Sequence, residues 1–128
     1  GKLNYVYNFL GIKPEQTFTS GKLEAGKRTL GVEFIRENAG EHGESTGTAK
    51  LYVDDKVVAE GPMRAQVGKF TLSGDGLCVG FDSADPVSRS YPPGFPFKGG
   101  VILGVGVDIG EEQYLDLERE AAAAFARD

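Results

Sequence analysis

The chain is poor in the residues from which catalytic and metal sites are usually assembled. It holds one histidine, His42, one cysteine, Cys78, and no tryptophan. A single cysteine excludes an internal disulfide. That permits the cytoplasm and leaves open a periplasmic domain that needs no bridge. A lone histidine leaves a His-based zinc site or a Ser-His-Asp triad with almost nothing to build on. Long hydrophobic runs are missing too. The longest apolar stretch, Val101 to Val107, falls far short of the ~20 residues that span a bilayer. Basic residues are in the minority, 14 against 19 acids, for a net charge of -5, and they form no stripe. A surface that tracks phosphates needs clustered Lys and Arg. Neither nucleic acid nor a membrane is therefore expected as a partner.

What the chain has in excess is glycine, 19 of 128 residues, roughly twice the usual share. The glycines lie between apolar runs without a collagen-like period, as expected of short strands joined by tight turns. The length suits one compact domain. The chain begins at Gly1 without methionine, two residues before a strand pattern. It reads as a piece of a longer protein.

Alternation with a period of two marks the strands. Leu3 to Leu10 places Leu3, Tyr5, Tyr7 and Phe9 on one face. A mixed segment, Gly11 to Gly26, holds Pro14 and a short strand around Thr17 to Thr19. Lys27 to Arg36 groups Leu30, Val32 and Phe34, and polar Glu37 to Gly47 reads as an exposed loop. Thr48 to Glu60 reads as a hairpin turning at Asp54-Asp55-Lys56. Further strands are expected at Val67 to Leu72, over Leu77, Val79 and Phe81, and at Val101 to Ile109. Asp82 to Gly100 is too rich in proline to pair as a strand and reads as an ordered loop. From Glu111 the period becomes helical, with Tyr114, Leu117, Ala121 and Phe125 on one stripe. Seven or eight strands and one helix give an all-β fold, an antiparallel two-sheet sandwich of jelly-roll type with a C-terminal α-helix. The sandwich would span 1–110. The helix, 111–128, would pack on it or on another part of the parent chain.

Few side chains suggest chemistry. His42 reads as a solvated loop residue. Cys78, with no histidine or basic cluster in its sequence neighbourhood to lower its pKa, reads as an inert structural thiol. Gly104-Val105-Gly106 fails as a dinucleotide fingerprint, because Ile109 stands at the third glycine position and the glycines lie inside a strand pattern. Asp75, Asp82 and Asp85 offer oxygens of the kind calcium takes. Their spacing matches no EF-hand loop, and turn chemistry accounts for them. Tyr91, Phe95 and Phe97 suit either a clamp that holds the long loop or an aromatic platform for a sugar or a protein. The candidate binding residues are Asp82, Asp85, Arg89 and Tyr91. No catalytic residue and no metal site is assigned.

The order of segments carries a resemblance. The opening Gly-Lys-Leu-Asn-Tyr-Val-Tyr-Asn-Phe-Leu-Gly is followed by Gly26-Lys27-Arg28-Thr29-Leu30-Gly31-Val32-Glu33-Phe34 and Ala49-Lys50-Leu51-Tyr52-Val53-Asp54. Leu77-Cys78-Val79-Gly80-Phe81-Asp82, Pro86-Val87-Ser88 and Phe95-Pro96-Phe97-Lys98-Gly99-Gly100-Val101 complete the series. Over about residues 1–110 this resembles the C-terminal β-sandwich domain of bacterial arylsulfatases and, more widely, sandwiches of concanavalin-A or laminin-G type. The resemblance implies a non-catalytic domain that packs on an intrachain catalytic sulfatase domain and shapes its cleft. It implies no cofactor in this chain, since calcium and formylglycine belong to the parent's catalytic domain. The formylglycine motif C/S-x-P-x-R is absent here. Cys78 is followed by Val79-Gly80-Phe81, and Gly94 stands where Ser90-Tyr91-Pro92-Pro93 would need arginine. The alternative is a lectin-like module that binds carbohydrate. The source implied is bacterial, the compartment cytoplasmic or periplasmic.

Overall fold

The computed structural model describes residues 1–66, 76–82 and 85–110. The expected strand at Val67 to Leu72, the residue Asp75 and the expected helix over 111–128 lie outside the described residues. Within them the protein is all-β, with five strands in two antiparallel sheets. Strands β1 (Lys2–Phe9) and β2 (Ile12–Lys22) form a hairpin. Strands β3 (Leu30–Ala39), β4 (Ser45–Val53) and β5 (Lys56–Ala65) form a meander in the order β3-β4-β5.

The turns explain the hairpins. Phe9 pairs with Ile12 around Leu10 and Gly11, whose φ values of 52° and 72° are both left-handed. That backbone twist matches the strands it joins. The Gly11 N–H, which leaves the ladder here, donates to Asn8 Oδ1 at 2.9 Å. Val53 pairs with Lys56 around Asp54-Asp55, as the sequence suggested. Asp54 fastens this turn to the approach to β3: its carboxylate accepts from Thr29 N–H at 3.1 Å and from Arg28 at 3.0 Å.

The core lies on one face of the meander. Cross-strand register sets Val32 opposite Leu51 and Phe34 opposite Ala49, while Ala49 faces Gly61 and Leu51 faces Ala59. Ala49, Leu51 and Met63 are the buried hydrophobic residues. The first hairpin covers this face through the inner side of β2, where Gln16, Phe18 and Ser20 alternate inward. The Phe18 ring lies over Gly61, so a Cβ there would come within 3.1 Å of it. Phe18 also stacks with its cross-strand neighbour Tyr5 at 6.1 Å between centroids. The Gln16 amide behaves as an added backbone unit: it donates to Arg64 O at 2.6 Å and accepts from Arg64 N–H at 2.8 Å. Tyr7 Oη accepts from Gln66 N–H at 2.8 Å.

Four expectations change. Gly11 to Gly26 holds not a short strand but eleven residues of β2. Pro14 falls inside the register shift between Tyr7 and Phe9, where a missing N–H breaks no ladder bond. The loop expected over Glu37 to Gly47 is mostly strand, with a turn only between Ala39 and Ser45. Glu44, polar and therefore read as exposed, is buried there. Its carboxylate accepts from His42 N–H at 2.9 Å and from Arg64 at 2.9 Å, which makes its burial tolerable. Leu77 to Phe81 and Val101 to Ile109 alternate but form no strand. Alternation assigns side chains to faces, whereas a strand also needs a neighbouring backbone. Among the described residues none is hydrogen-bonded to 101–109.

Gly47 tests the sheet packing. A Cβ at this position would overlap the Ile35 carbonyl oxygen, next to the register shift between Arg36 and Asn38. Gly47→Ala is expected to destabilise the fold by about 1–3 kcal/mol in denaturant unfolding. Gly31→Ala, whose Cβ would find its nearest neighbour at 3.8 Å, should change stability by no more than about 1 kcal/mol.

Glu44 tests the electrostatics. Its carboxyl is held below the usual carboxylate range, first by its own backbone N–H and then by His42 N–H and Arg64, against the opposing effect of burial. A carboxyl lowered in the fold supplies stability that is complete above its unfolded-state value and is lost as pH falls through its folded value. Glu44→Gln is therefore expected to flatten the acid limb of the stability–pH curve. An unchanged acid limb would show that this carboxyl is not linked to folding.

Candidate functional site

The candidate binding residues gather on one segment, 85–97, and its attachment at 80–82. The segment contains four of the six prolines and no strand, and it lies as a strap against the first hairpin. Its ends are drawn together by two backbone bonds: Phe97 N–H donates to Gly80 O at 2.7 Å, and Asp82 N–H donates to Phe95 O at 3.3 Å. The neck is thus a minimal antiparallel pair, as much of a ladder as Pro96 permits.

Asp82 organises the interior. One oxygen, Oδ2, accepts from Val87 N–H at 2.9 Å and from the Tyr91 hydroxyl at 2.5 Å. Tyr91 packs on Phe95 with ring centroids 4.9 Å apart and planes tilted by 32°. Burial, and then the hydrogen bond to the Asp82 carboxylate, push the Tyr91 phenol above its ordinary pKa.

Arg89 turns away from this pair. Its guanidinium donates to Gly11 O at 2.9 Å and its backbone N–H donates to Glu15 Oε1 at 2.8 Å. Asp85 is exposed at the start of the strap. The structure therefore joins Asp82 to Tyr91, and it sends Arg89 to the tip of the hairpin. The expected aromatic clamp is only partly realised: Tyr91 and Phe95 hold each other, Phe95 and Phe97 remain about half exposed, and polar bonds hold the strap to the sheet.

Sequence reasoning missed the residues that make those polar bonds. Glu15 Oε2 accepts from the Ser88 hydroxyl at 3.0 Å, and Asn8 Nδ2 donates to Val87 O at 2.8 Å. Ser88 is almost completely buried. Asn8 and Glu15 lie on the outer face of the hairpin, opposite Tyr7 and Gln16 by alternation. Their partners are more than 70 positions away, and no local pattern announces such a pairing.

Beside the neck runs an open groove of about 500 Å³ lined by Val79, Gly80, Phe97, Ile102 and Leu103 among others. Its lining is apolar or glycine, so it presents no acid, base or nucleophile. Among the described residues no group of three or more His, Cys, Asp or Glu side chains is placed to hold a metal ion. No described helix is long and apolar enough to cross a membrane. No family model, curated protein or solved structure matches the chain.

The Asp82–Tyr91 pair has a spectroscopic signature. Asp82→Asn removes the carboxylate charge and should bring the ionisation of Tyr91 down toward the ordinary tyrosine range in an ultraviolet titration. A phenol raised in the fold supplies stability that is present below the unfolded-state value and lost as pH rises through the folded one. The strap of the unaltered protein should therefore loosen only in strong alkali. An unshifted titration in the variant would show that the hydrogen bond does not set the Tyr91 pKa.

Proposed function

We propose that this chain is the non-catalytic C-terminal domain of an arylsulfatase, a sulfuric-ester hydrolase, packing on the catalytic domain and shaping the rim of its cleft. The hairpin and the meander would then be parts of a jelly-roll-like sandwich of concanavalin-A type, completed by a C-terminal helix. Calcium and formylglycine would act in the parent's catalytic domain, and this chain would supply surface and rigidity.

The exposed apolar surface is the observation that carries this reading. Leu77 is 85% exposed, Val101 83% and Leu103 77%, and Val105, Val107 and Ile109 are all more than half exposed. Soluble domains rarely leave this many aliphatic side chains of one segment in water, and such a segment suits burial against a neighbouring domain. The scarcity of acid, base and nucleophile candidates agrees with a supporting role.

The test compares the isolated chain with the full-length parent. The upstream coding sequence is expected to contain C/S-x-P-x-R. Amide exchange over 101–109 should be fast in the isolated chain and slowed at least about tenfold in the parent, as burial in a stable interface requires. Equal exchange in both, or an upstream sequence without the motif, would overturn the reading. Binding of the isolated chain to sugars on a glycan array would favour a lectin-like module in its place.

A further inference from the structure

The polar anchorage of the strap has a pattern that simple loop packing does not require. Among the described residues, every hydrogen bond from 85–97 to the first hairpin involves three consecutive strap residues, Val87, Ser88 and Arg89. One carboxylate, Glu15, takes two of them, from the Ser88 hydroxyl and from Arg89 N–H. Behind this row the strap has its own internal structure: the Asp82 pin on Val87 and Tyr91, the Tyr91–Phe95 ring pair, the Ser88–Ser90 hydroxyl contact at 2.9 Å and the two bonds of the neck.

We infer that the strap is a conformational unit latched to the hairpin by Glu15, and that it undocks as one piece without unfolding the sheets. The internal bonds are few, and once the latch opens water reaches them, so the amides of the strap become exchangeable together. Most of the docking bonds are exposed to water, which competes for the same donors and acceptors. The meander, by contrast, is joined by continuous ladders and by the apolar contacts of Ala49, Leu51 and Met63. Regions held by few apolar contacts and exposed hydrogen bonds open at lower free energy than such a core. Glu15 is thus a positioning residue. Docked, it holds Ser88 and Arg89 against the hairpin; undocked, it frees the outer face of β2 on which Glu15 lies. The device belongs to this chain's own fold and does not rest on the packing role proposed above.

Native-state amide exchange on the 128-residue chain tests it. The informative reporters are Val87 N–H, which is bonded to Asp82, and Ser90 N–H, which is bonded to Ser88 Oγ at 3.2 Å, because neither touches Glu15. Glu15→Ala is expected to speed exchange at both by about ten- to a hundredfold, the size expected when two hydrogen bonds to a carboxylate are lost. Amides of β4 and β5 should keep their protection. Glu15→Gln, which retains an acceptor oxygen, should fall between the two. Acceleration confined to Arg89 N–H would mean that only one bond was lost and no unit exists. Parallel acceleration in β4 and β5 would mean that the strap opens only with the whole protein. No change anywhere would mean that Glu15 is not the latch. Each of these three outcomes overturns the inference.

Discussion

Strand β2 is the member on which the other parts converge, and the constraint it satisfies is the alternation of side chains across a strand. Gln16 and Phe18 point inward to the meander, where the amide pairs with the Arg64 backbone and the ring lies over Gly61. Glu15, one position away, points outward and holds the strap. Shifting β2 by one residue would exchange these faces. A carboxylate would then lie against the core, and Pro14 or Gln16 would stand in place of the acceptor of the latch. The Leu10-Gly11 turn, with both φ values positive, pairs Phe9 with Ile12, and the shift between Tyr7 and Phe9 then sets the Tyr7–Gln16 register on which these faces depend.

The buried apolar core is small, and polar groups carry much of the contact between segments. Glu44 ties the β3–β4 turn to Arg64, Asp54 ties the β4–β5 turn to Arg28 and Thr29, and Asp82 closes the strap on itself. Every buried side-chain nitrogen and oxygen among the described residues has a partner. This is the condition under which buried polar groups are tolerated. Exposed pairs such as Arg28–Asp54 add little each in water, so their value lies in fixing which turn meets which strand. Apolar residues are meanwhile left outside, most of them beyond the meander between Leu77 and Ile109. A fold that satisfies its polar groups internally while exposing its aliphatic ones has a surface suited to further burial.

Local rules decided much of what was legible in the sequence. The period of two located β1 and β3, and two β-branched runs around the polar Asp54-Asp55-Lys56 located the β4–β5 hairpin, because strand faces and hairpin turns are set by neighbours within a few residues. The same rules shortened β2 to a strand around Thr17 to Thr19, whereas it runs on through Pro14, which a register shift accommodates. They misjudged Glu44 for the related reason that its burial depends on Arg64, twenty positions away. The candidate residues Asp82 and Tyr91 do meet, but Glu15, Asn8 and Ser88, which hold them in place, carried no signal of their own.

The sequence by itself determined the all-β character of the described residues and the turn at Asp54-Asp55, since each follows from composition or from contacts between near neighbours. Tertiary structure alone decided that β2 is long, that Glu44 is buried, that Arg89 grips the tip of the hairpin and that 101–109 is not a strand among the described residues. Each of those outcomes turns on whether a partner distant in sequence is present to complete a hydrogen bond or cover a side chain. A period-two pattern specifies a face, and only the folded chain supplies what lies against it.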